Sequence, residues 1–274
     1  MCRVLRVSKS GYYAWIRRPV SQRAKTNARL VDEIRIAYQE NRKAYGSPRI
    51  RIALQNKGIL CGHNRVARLM RLNCIIAQRQ FRHKRHRATT HGRSLAINLV
   101  NRNFRVSKPN CVWAADITVL WSGSGWLYLA VVMDLYSRKI IGWAMQKRMT
   151  DNLTIHALKM AIDQRNPKGE LIHHSDQGSQ YASDSFRQEL TRYHIAPSMS
   201  RKGNCYDNAV VESFFKTLKA EIQKEDRSKT REETRSRIFE YIEVFYNRKR
   251  LHSTLGYLSP VEYERLGLAK PGVH

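Results

Sequence analysis

Hydrophobic positions along this chain change period several times, and each change predicts an element. The first clear signal lies between Ser47-Pro48, a good helix start, and Gly58, a good stop, which enclose Ile50, Ala53 and Leu54 on one apolar stripe. A second helix is expected from His63 to about Asn73, turning Val66, Leu69 and Met70 inward, while Arg65, Arg68 and Arg71 recur every three residues on another face. After residue 110 the period becomes that of strands. Runs near 112 to 121, 125 to 135 and 139 to 145 predict three strands, with Gly123-Ser-Gly125 and Ser137-Arg-Lys139 as the turns between them. A helix from about Asp151 to Gln164, a strand at 171 to 176, a helix near 183 to 194 and a short strand near 196 to 200 follow. Beyond these, Val211, Phe215, Leu218 and Ile222 recur at helical spacing, with Asp207 or Asn208 placed to cap the start. A final helix is expected from about Arg231 to Asn247.

Composition turns this pattern into a division of labour. With 274 residues and 42% hydrophobic content, the chain can bury one sizeable α/β core and a smaller helical domain, which excludes global disorder. It carries 50 Lys and Arg against 22 Asp and Glu, a formal charge of +28. Residues 1–109 hold 26 basic and 3 acidic residues, a net of +23, whereas residues 110–274 hold 24 and 19, a net of +5. A polyanion is the natural partner of the first part, because each neutralised phosphate releases counterions. The boundaries read as a basic helical region at 1–74, a basic linker at 75–109, a core at 110–225 and a basic helical extension at 226–274. In the linker, Arg79–Arg87 suits a connector that follows DNA or a plain solvated one, and the surrounding positive charge argues against a metal at His83, His86 and His91.

No apolar run approaches the roughly 20 residues of a membrane span, and Arg3, Arg6 and Lys9 interrupt any secretion signal, so a cytoplasmic, DNA-associated protein with no membrane partner is expected. Cys2, Cys61, Cys74, Cys111 and Cys205 are odd in number and scattered, so reduced and mostly buried thiols are expected rather than disulfides or a zinc site.

The candidate chemistry rests on three acids. Asp116, in Trp113-Ala-Ala-Asp116-Ile-Thr118, falls on the strand face opposite Ile117. Asp176 ends the run Leu171-Ile-His-His-Ser-Asp176 and leads into Gln177-Gly178-Ser-Gln-Tyr181, a strand feeding a turn. Glu212 shares one stripe of its helix with Lys216 and Lys219. Converging carboxylates suit hard Mg²⁺ or Mn²⁺, and three acids suffice for two ions that cut or join a phosphodiester without an organic cofactor. Lys216 and Lys219 are placed to hold the DNA backbone. Spacing alone is weak evidence, because 22 acids generate many pairs separated by 35 residues, as Asp176 and Glu212 are.

Context makes the signal specific. His174-Ser-Asp-Gln-Gly178 and Asn208-Ala-Val-Val-Glu212-Ser-Phe-Phe215 closely resemble the DDE integrase core of bacterial insertion-sequence transposases of the IS-three family, the product of the second reading frame, OrfB. Further family-like blocks occur in order at Val7–Trp15, Tyr45–Ile50, Val132–Arg138 and Tyr246–Tyr257.

The resemblance implies a fold and an activity. The fold is α/β, an RNase H-like mixed sheet of the retroviral integrase type, behind a small all-helical, helix-turn-helix-like N-terminal domain; the predicted element order suits it. The activity is a Mg-dependent transposase that cleaves element ends and transfers 3′-hydroxyl strands to target DNA, with Asp116, Asp176 and Glu212 as catalytic metal ligands. Its partners would be double-stranded DNA at terminal repeats and target, further copies of itself, and the upstream product OrfA by fusion or association. A nuclease on the same fold and a non-catalytic regulator active only when fused to OrfA are the competing readings.

Several residues keep two readings. The helix pair in the basic region is a groove-reading helix-turn-helix or an α-hairpin touching only phosphates or the core. His173 and His174 are packed strand histidines or proton carriers. Lys202-Gly-Asn-Cys-Tyr206 resembles a mobile loop beside the site. Arg248, Arg250, His252 and Tyr257 suit phosphate contact or subunit packing, and Arg248 and Arg250 join the candidate DNA contacts. Asp134 is expected to hydrogen-bond structurally rather than to bind metal.

Overall fold

A computed structural model of the chain describes residues 2, 4–77, 95–201, 204–222 and 229–269. The linker's Arg79–Arg87 cluster, His83, His86, His91 and Lys202-Gly203 lie outside the described residues. The chain divides into two compact units, Met1–Ala77 and Gln78–His274.

Helices build the first unit: α1 (Lys9–Arg17), α2 (Gln22–Glu40), α3 (Ser47–Asn56) and α4 (His63–Leu72). The expected pair is α3 and α4. Helix α3 stops where Gly58 takes a left-handed φ of 80°, so that Gly58 N–H reaches the Gln55 carbonyl and Ile59 N–H the Leu54 carbonyl. Ile50 and Leu54 meet Val66, Leu69 and Met70 in a core that α2 completes with Leu30, Val31, Ile34 and Ala37. The longest helix, α2, has its buried positions confined to its second half, so its first half offers little periodic signal. Arg65 donates from Nε and Nη2 to Asn27 Oδ1 at 3.0 and 2.8 Å, which fastens α4 to α2.

The second unit is a mixed five-stranded sheet in the order β3-β2-β1-β4-β5. Strands β1 (Val112–Ser122), β2 (Gly125–Asp134) and β3 (Ile140–Gln146) form the antiparallel part, and β4 (Leu171–Ser175) and β5 (Ile195–Met199) add in parallel beside β1. Helices α5 (Asp151–Arg165), α6 (Asp184–Arg192), α7 (Ala209–Ile222), α8 (Arg231–Glu240) and α9 (Pro260–Ala269) cover it. Alternation along β1 feeds two cores. Trp113 and Ala115 pack with Leu158, Ala161 and Phe186 on the α5/α6 side, whereas Ala114 and Leu120 pack with Val211, Phe215 and Leu218 of α7 on the other. Asp116 belongs to the α7 side by the same alternation.

Several expectations change at the edges of this core. Residues 95–107, part of the expected linker, lie along the second unit. Leu99 N–H donates to Ser198 Oγ at 2.9 Å, Arg138 Nη2 to the Phe104 carbonyl at 2.8 Å, and Phe104 and Val106 pack on the α7-side core. The expected final helix is α8 followed by a π-helical turn, Tyr241–Tyr246, and Asn247 exchanges hydrogen bonds with both backbone groups of Ile140 at 2.9 Å. Helix α9 is not among the expected elements, although Ser259-Pro260-Val-Glu262 marks its start, where Ser259 N–H donates to Glu262 Oε2 at 3.0 Å and Glu262 N–H to Ser259 Oγ at 3.4 Å. Its Glu264 takes Ser137 Oγ at 2.6 Å and the Arg165 guanidinium, beside Asp134, whose carboxylate accepts from Asn110 and Tyr136 N–H at 2.9 Å each. Asp134 is therefore structural. The described thiols Cys2, Cys61, Cys74 and Cys111 are half-buried or exposed, not mostly buried, because they sit at turns and element edges.

One close approach decides how β3 meets α5. A Cβ at Gly142 would lie 2.2 Å from the Ala157 carbonyl oxygen and 2.8 Å from the Ala161 Cβ. Gly142→Ala therefore forces sheet and helix apart. The expected loss is about 1–3 kcal/mol, seen in calorimetry as a lowered Tm of the second unit, and an unchanged Tm would refute this packing.

Candidate active site

The sheet positions two of the three candidate acids. β1 and β4 run parallel in the register Val112 with Ile172, Trp113 with His173 and Ala114 with His174. Two residues further along each segment stand Asp116 and Asp176, Asp116 still within β1 and Asp176 just past the end of β4. Neighbouring strands lie about 4.8 Å apart, so this register brings the two acids close.

The third acid arrives on a helix. Helix α7 buries Val211, Phe214, Phe215 and Leu218 against the sheet, which leaves Glu212 in its first turn, with Lys216 and Lys219, on a stripe flanking the apolar one, Glu212 and Lys219 half-buried. Asn208 Nδ2 donates to the carbonyl of Ala115 at 3.1 Å, tying the entry of α7 to the residue before Asp116.

Electrostatics report the convergence. Burial first, then the charges of Asp176 and Glu212, push the Asp116 carboxyl well above the ordinary carboxylate range. Lys219 opposes this weakly, its own ammonium pulled down by burial while Asp116 holds it up. Each acid is turned onto its own segment. Asp116 Oδ1 accepts from Ile117 N–H at 2.7 Å, Asp176 Oδ1 from Gly178 N–H at 3.0 Å, and Glu212 Oε2 stands 3.8 Å from Lys216 Nζ. As placed, no three His, Cys, Asp or Glu among the described residues close into a ligand set for an ion. The donors are nonetheless hard oxygens whose mutual repulsion a divalent cation would relieve. Gly178 is fitted to this corner, because a Cβ there would fall 2.9 Å from Asp176 Oδ1.

Both histidines are packed. His173 lies against Phe186 and Tyr181, and burial pushes its pKa down to about 3, so it stays neutral near pH 7. His174 is held between Ser198 Oγ at 2.9 Å and the Asp207 carbonyl at 3.0 Å. Tyr181, missed from sequence, is buried where both Asp116 and Asp176 raise its phenol pKa further, after burial itself.

Asp207 is the largest departure from expectation at the site. It does not cap α7; Asn204 caps the short 3-10 turn Cys205–Asn208 that precedes the helix. Its fully buried carboxylate accepts a forked pair from Arg201 at 2.9 Å each, Arg201 N–H at 3.0 Å, Arg102 Nε at 2.9 Å and Asn98 Nδ2 at 3.0 Å. No local pattern could reveal Arg102 and Asn98, 105 and 109 residues earlier.

Two expected DNA contacts change status. Arg250 is buried, its guanidinium paired with Glu221 Oε1 at 2.9 Å while Tyr241 OH donates to Glu221 Oε2 at 2.8 Å, so it holds the C-terminal extension rather than phosphate. Arg65 is half-buried and spent on Asn27. Arg71, Arg248 and Lys216 are exposed, and Arg68 and Lys219 are half-buried.

The Arg201 guanidinium, then its backbone N–H and Arg102, hold the Asp207 carboxyl well below the ordinary carboxylate range of about 3.9. A depressed folded pKa contributes stability that is full above the unfolded value and is lost as pH falls towards the folded one. Asp207→Asn should cost about 1–3 kcal/mol at pH 7 and shrink the stability difference between pH 7 and pH 3 in urea unfolding. An undiminished pH dependence would show that Asp207 is not held low.

Comparison with known proteins follows from this geometry. Residues 106–205 and 212–268 match two family profiles, both described as integrase core domain, and residues 25–85 match an HTH-like domain. The chain is 45% identical over 269 residues to the insertion element IS600 uncharacterized 31 kDa protein of Shigella sonnei, covering 96% of this chain and 97% of that one. It is 42% identical over 273 residues to the transposase InsF for insertion sequence IS3A of Escherichia coli (strain K12), covering 98% and 94%. Among solved structures, a simian T-cell lymphotropic virus intasome in complex with PP2A regulatory subunit B56 gamma is similar at a TM-score of 0.51 and 18% identity over 82% of this chain and 72% of that one, a likeness of fold alone.

Proposed function

Because this chain belongs to the insertion-sequence transposases of the IS3 type, which pair an HTH-like domain with an integrase core, we propose that Asp116, Asp176 and Glu212 are its catalytic carboxylates and work with divalent metal. The protein is a DNA transposase of RNase H-like fold, and its family is one of polynucleotidyl transferases. The observation that carries the residue assignment is the β1–β4 register, which sets Asp116 beside Asp176, together with the Asn208 bond to Ala115 that brings in the helix of Glu212; the raised Asp116 carboxyl accords with it.

Mg²⁺ or Mn²⁺, taken as a pair, would activate a water or a 3′-hydroxyl on one side of the phosphodiester and stabilise the leaving oxygen on the other. The chain's part is to supply and aim oxygen donors. Asp116 and Asp176 do so from adjacent strands, and Glu212 from a helix whose apolar face is sunk into the sheet. Lys219, beside Asp116, and Lys216, one turn after Glu212, supply positive charge for the DNA backbone.

Around this centre the remaining roles follow from exposure and charge. Arg68 and Arg71 on α4 and the exposed Arg248 contact element or target DNA, whereas Arg65 positions α4 through Asn27. Joining two ends to one target requires more than one copy, and association or fusion with the upstream product OrfA would supply further contacts. No helix among the described residues is long and apolar enough to cross a membrane, and the protein would act on DNA in the cytoplasm.

Nicking and strand transfer on duplexes carrying the element's ends test the assignment, with Mg²⁺, Mn²⁺ or EDTA, with and without OrfA. Asp116→Ala and Glu212→Ala should each lower both reactions by more than about a hundredfold, the upper range for disturbing only a metal's outer shell, while end binding is retained. Activity that survives either substitution, or persists in EDTA, overturns the assignment.

A further inference from the structure

One basic and aromatic cluster at the entry of α7 is only partly used in pinning Asp207 there. Tyr206 lies in the 3-10 turn that leads into α7, and its ring is 63% exposed. The Arg102 guanidinium sits 5.6 Å from that ring's centroid. Arg102 and Arg201 both pair with Asp207, yet their side chains remain 48% and 52% exposed while the carboxylate between them is 0% exposed. Two guanidinium charges therefore face one carboxylate charge, and the cluster keeps a net positive charge at the surface. Arg201 spends Nε and Nη2 on Asp207, and Arg102 spends Nε, which leaves Nη1 of Arg201 and both Nη atoms of Arg102 outside these bonds.

The location joins this cluster to the reacting end of the site. Asp207 receives His174 on its carbonyl, Asn208 grips the carbonyl next to Asp116, and Glu212 follows one helical turn later. We propose that Arg102, Arg201 and Tyr206 form a platform for an unpaired DNA strand end, Tyr206 stacking on an exposed base and the two guanidinia holding its phosphates. The proposal rests on the transposase reading given above and names the form of DNA that this part of the site takes.

Two physical points select an unpaired strand over intact duplex. With the Arg102 guanidinium over one face, a ring on a turn offers its other face to a base only when that base has left its own stack, and every base has a face to offer. Asp207 fixes both guanidinia before DNA arrives, so little side-chain freedom remains to be lost when a phosphate binds. Arg102 belongs to the segment preceding β1 and Arg201 to the end of β5, so the platform exists only once both are bolted to the start of α7.

The experiment measures binding in EDTA, where no chemistry occurs, to two versions of an element-end duplex, one blunt and one with a short 3′ overhang carrying 2-aminopurine. Tyr206→Ala should weaken overhang binding about tenfold and abolish the quenching of 2-aminopurine, leave blunt-duplex affinity unchanged, and Tyr206→Phe should restore both readouts. Arg102→Gln should lower the salt dependence of overhang binding by about one phosphate contact. Equal affinities of Tyr206→Ala and wild type for the overhang, or equal losses on both duplexes, overturn the platform. Since Tyr206→Ala removes a largely exposed side chain, an unchanged Tm accompanies the expected result. The outcome is separable from the carboxylate assignment, because Asp116→Ala should keep the overhang preference while losing cleavage.

Discussion

The seat of helix α7 is the constraint on which the site depends. Asp116 and Asp176 are related by the register of two hydrogen-bonded parallel strands, and a register slip would turn every side chain of a strand to the wrong face. Glu212 has no such ladder. Its position is set by a hydrophobic stripe, which tolerates sliding, and by the polar pins at the helix entry, which do not. Removing a carboxylate from water costs several kcal/mol unless its partners are complete. Asp207 is buried with five donors, so the entry of α7 can shift only by leaving that carboxylate short of partners.

That pinning explains how the protein tolerates a cluster of acids around Asp116. Like charges crowd Asp116, and the Ile117 N–H and a partly desolvated Lys219 answer them only in part, so the region is locally destabilised. Compensation lies in uncharged side chains that tie the neighbouring elements together. His174 links β4 to β5 through Ser198 and to α7 through Asp207, Asn208 links α7 to β1, and His173 closes the opposite core against Phe186. Carboxylates on a scaffold fixed in this way can remain under mutual repulsion without relaxing apart.

Much of this was legible in the sequence because it is written in local periods. Two-residue alternation marked β1 and β2, a period near 3.6 marked α4 and α7, and the surroundings of Asp176 and Glu212 singled them out from the other acids. What escaped was long-range pairing between groups whose local appearance suggests something else. Asp207 looks like a helix cap but is claimed by Asn98, 109 residues earlier, together with Arg102 and Arg201. Arg250 ends a basic run that looks like a phosphate clamp, yet it meets Glu221, 29 residues earlier, and is buried. The stretch 95–107 has little periodicity because it lies along an existing surface through scattered contacts, and α9 is anchored by Glu264, by Tyr263 against Tyr136 and by the Ser259–Glu262 cap rather than by an apolar stripe.

The same comparison changes how the charge of this chain should be understood. A net of +23 in the first 109 residues identifies a polyanion as partner, but it does not mark where the polyanion lies. Arg65 is spent on α2, and Arg165 and Arg250 are committed inside the core to Glu264 and Glu221, so their charges serve folding. Arg102 and Arg201 lie between these cases, half-neutralised by a buried carboxylate that also orients them. Long-range attraction needs only total charge, which counterions screen beyond about 8–10 Å at ordinary salt. Holding one phosphodiester against three carboxylates that repel it needs cations that cannot swing away. A guanidinium braced by Asp207 meets that need better than a freely rotating surface lysine, because its fork is already held in place when a phosphate arrives.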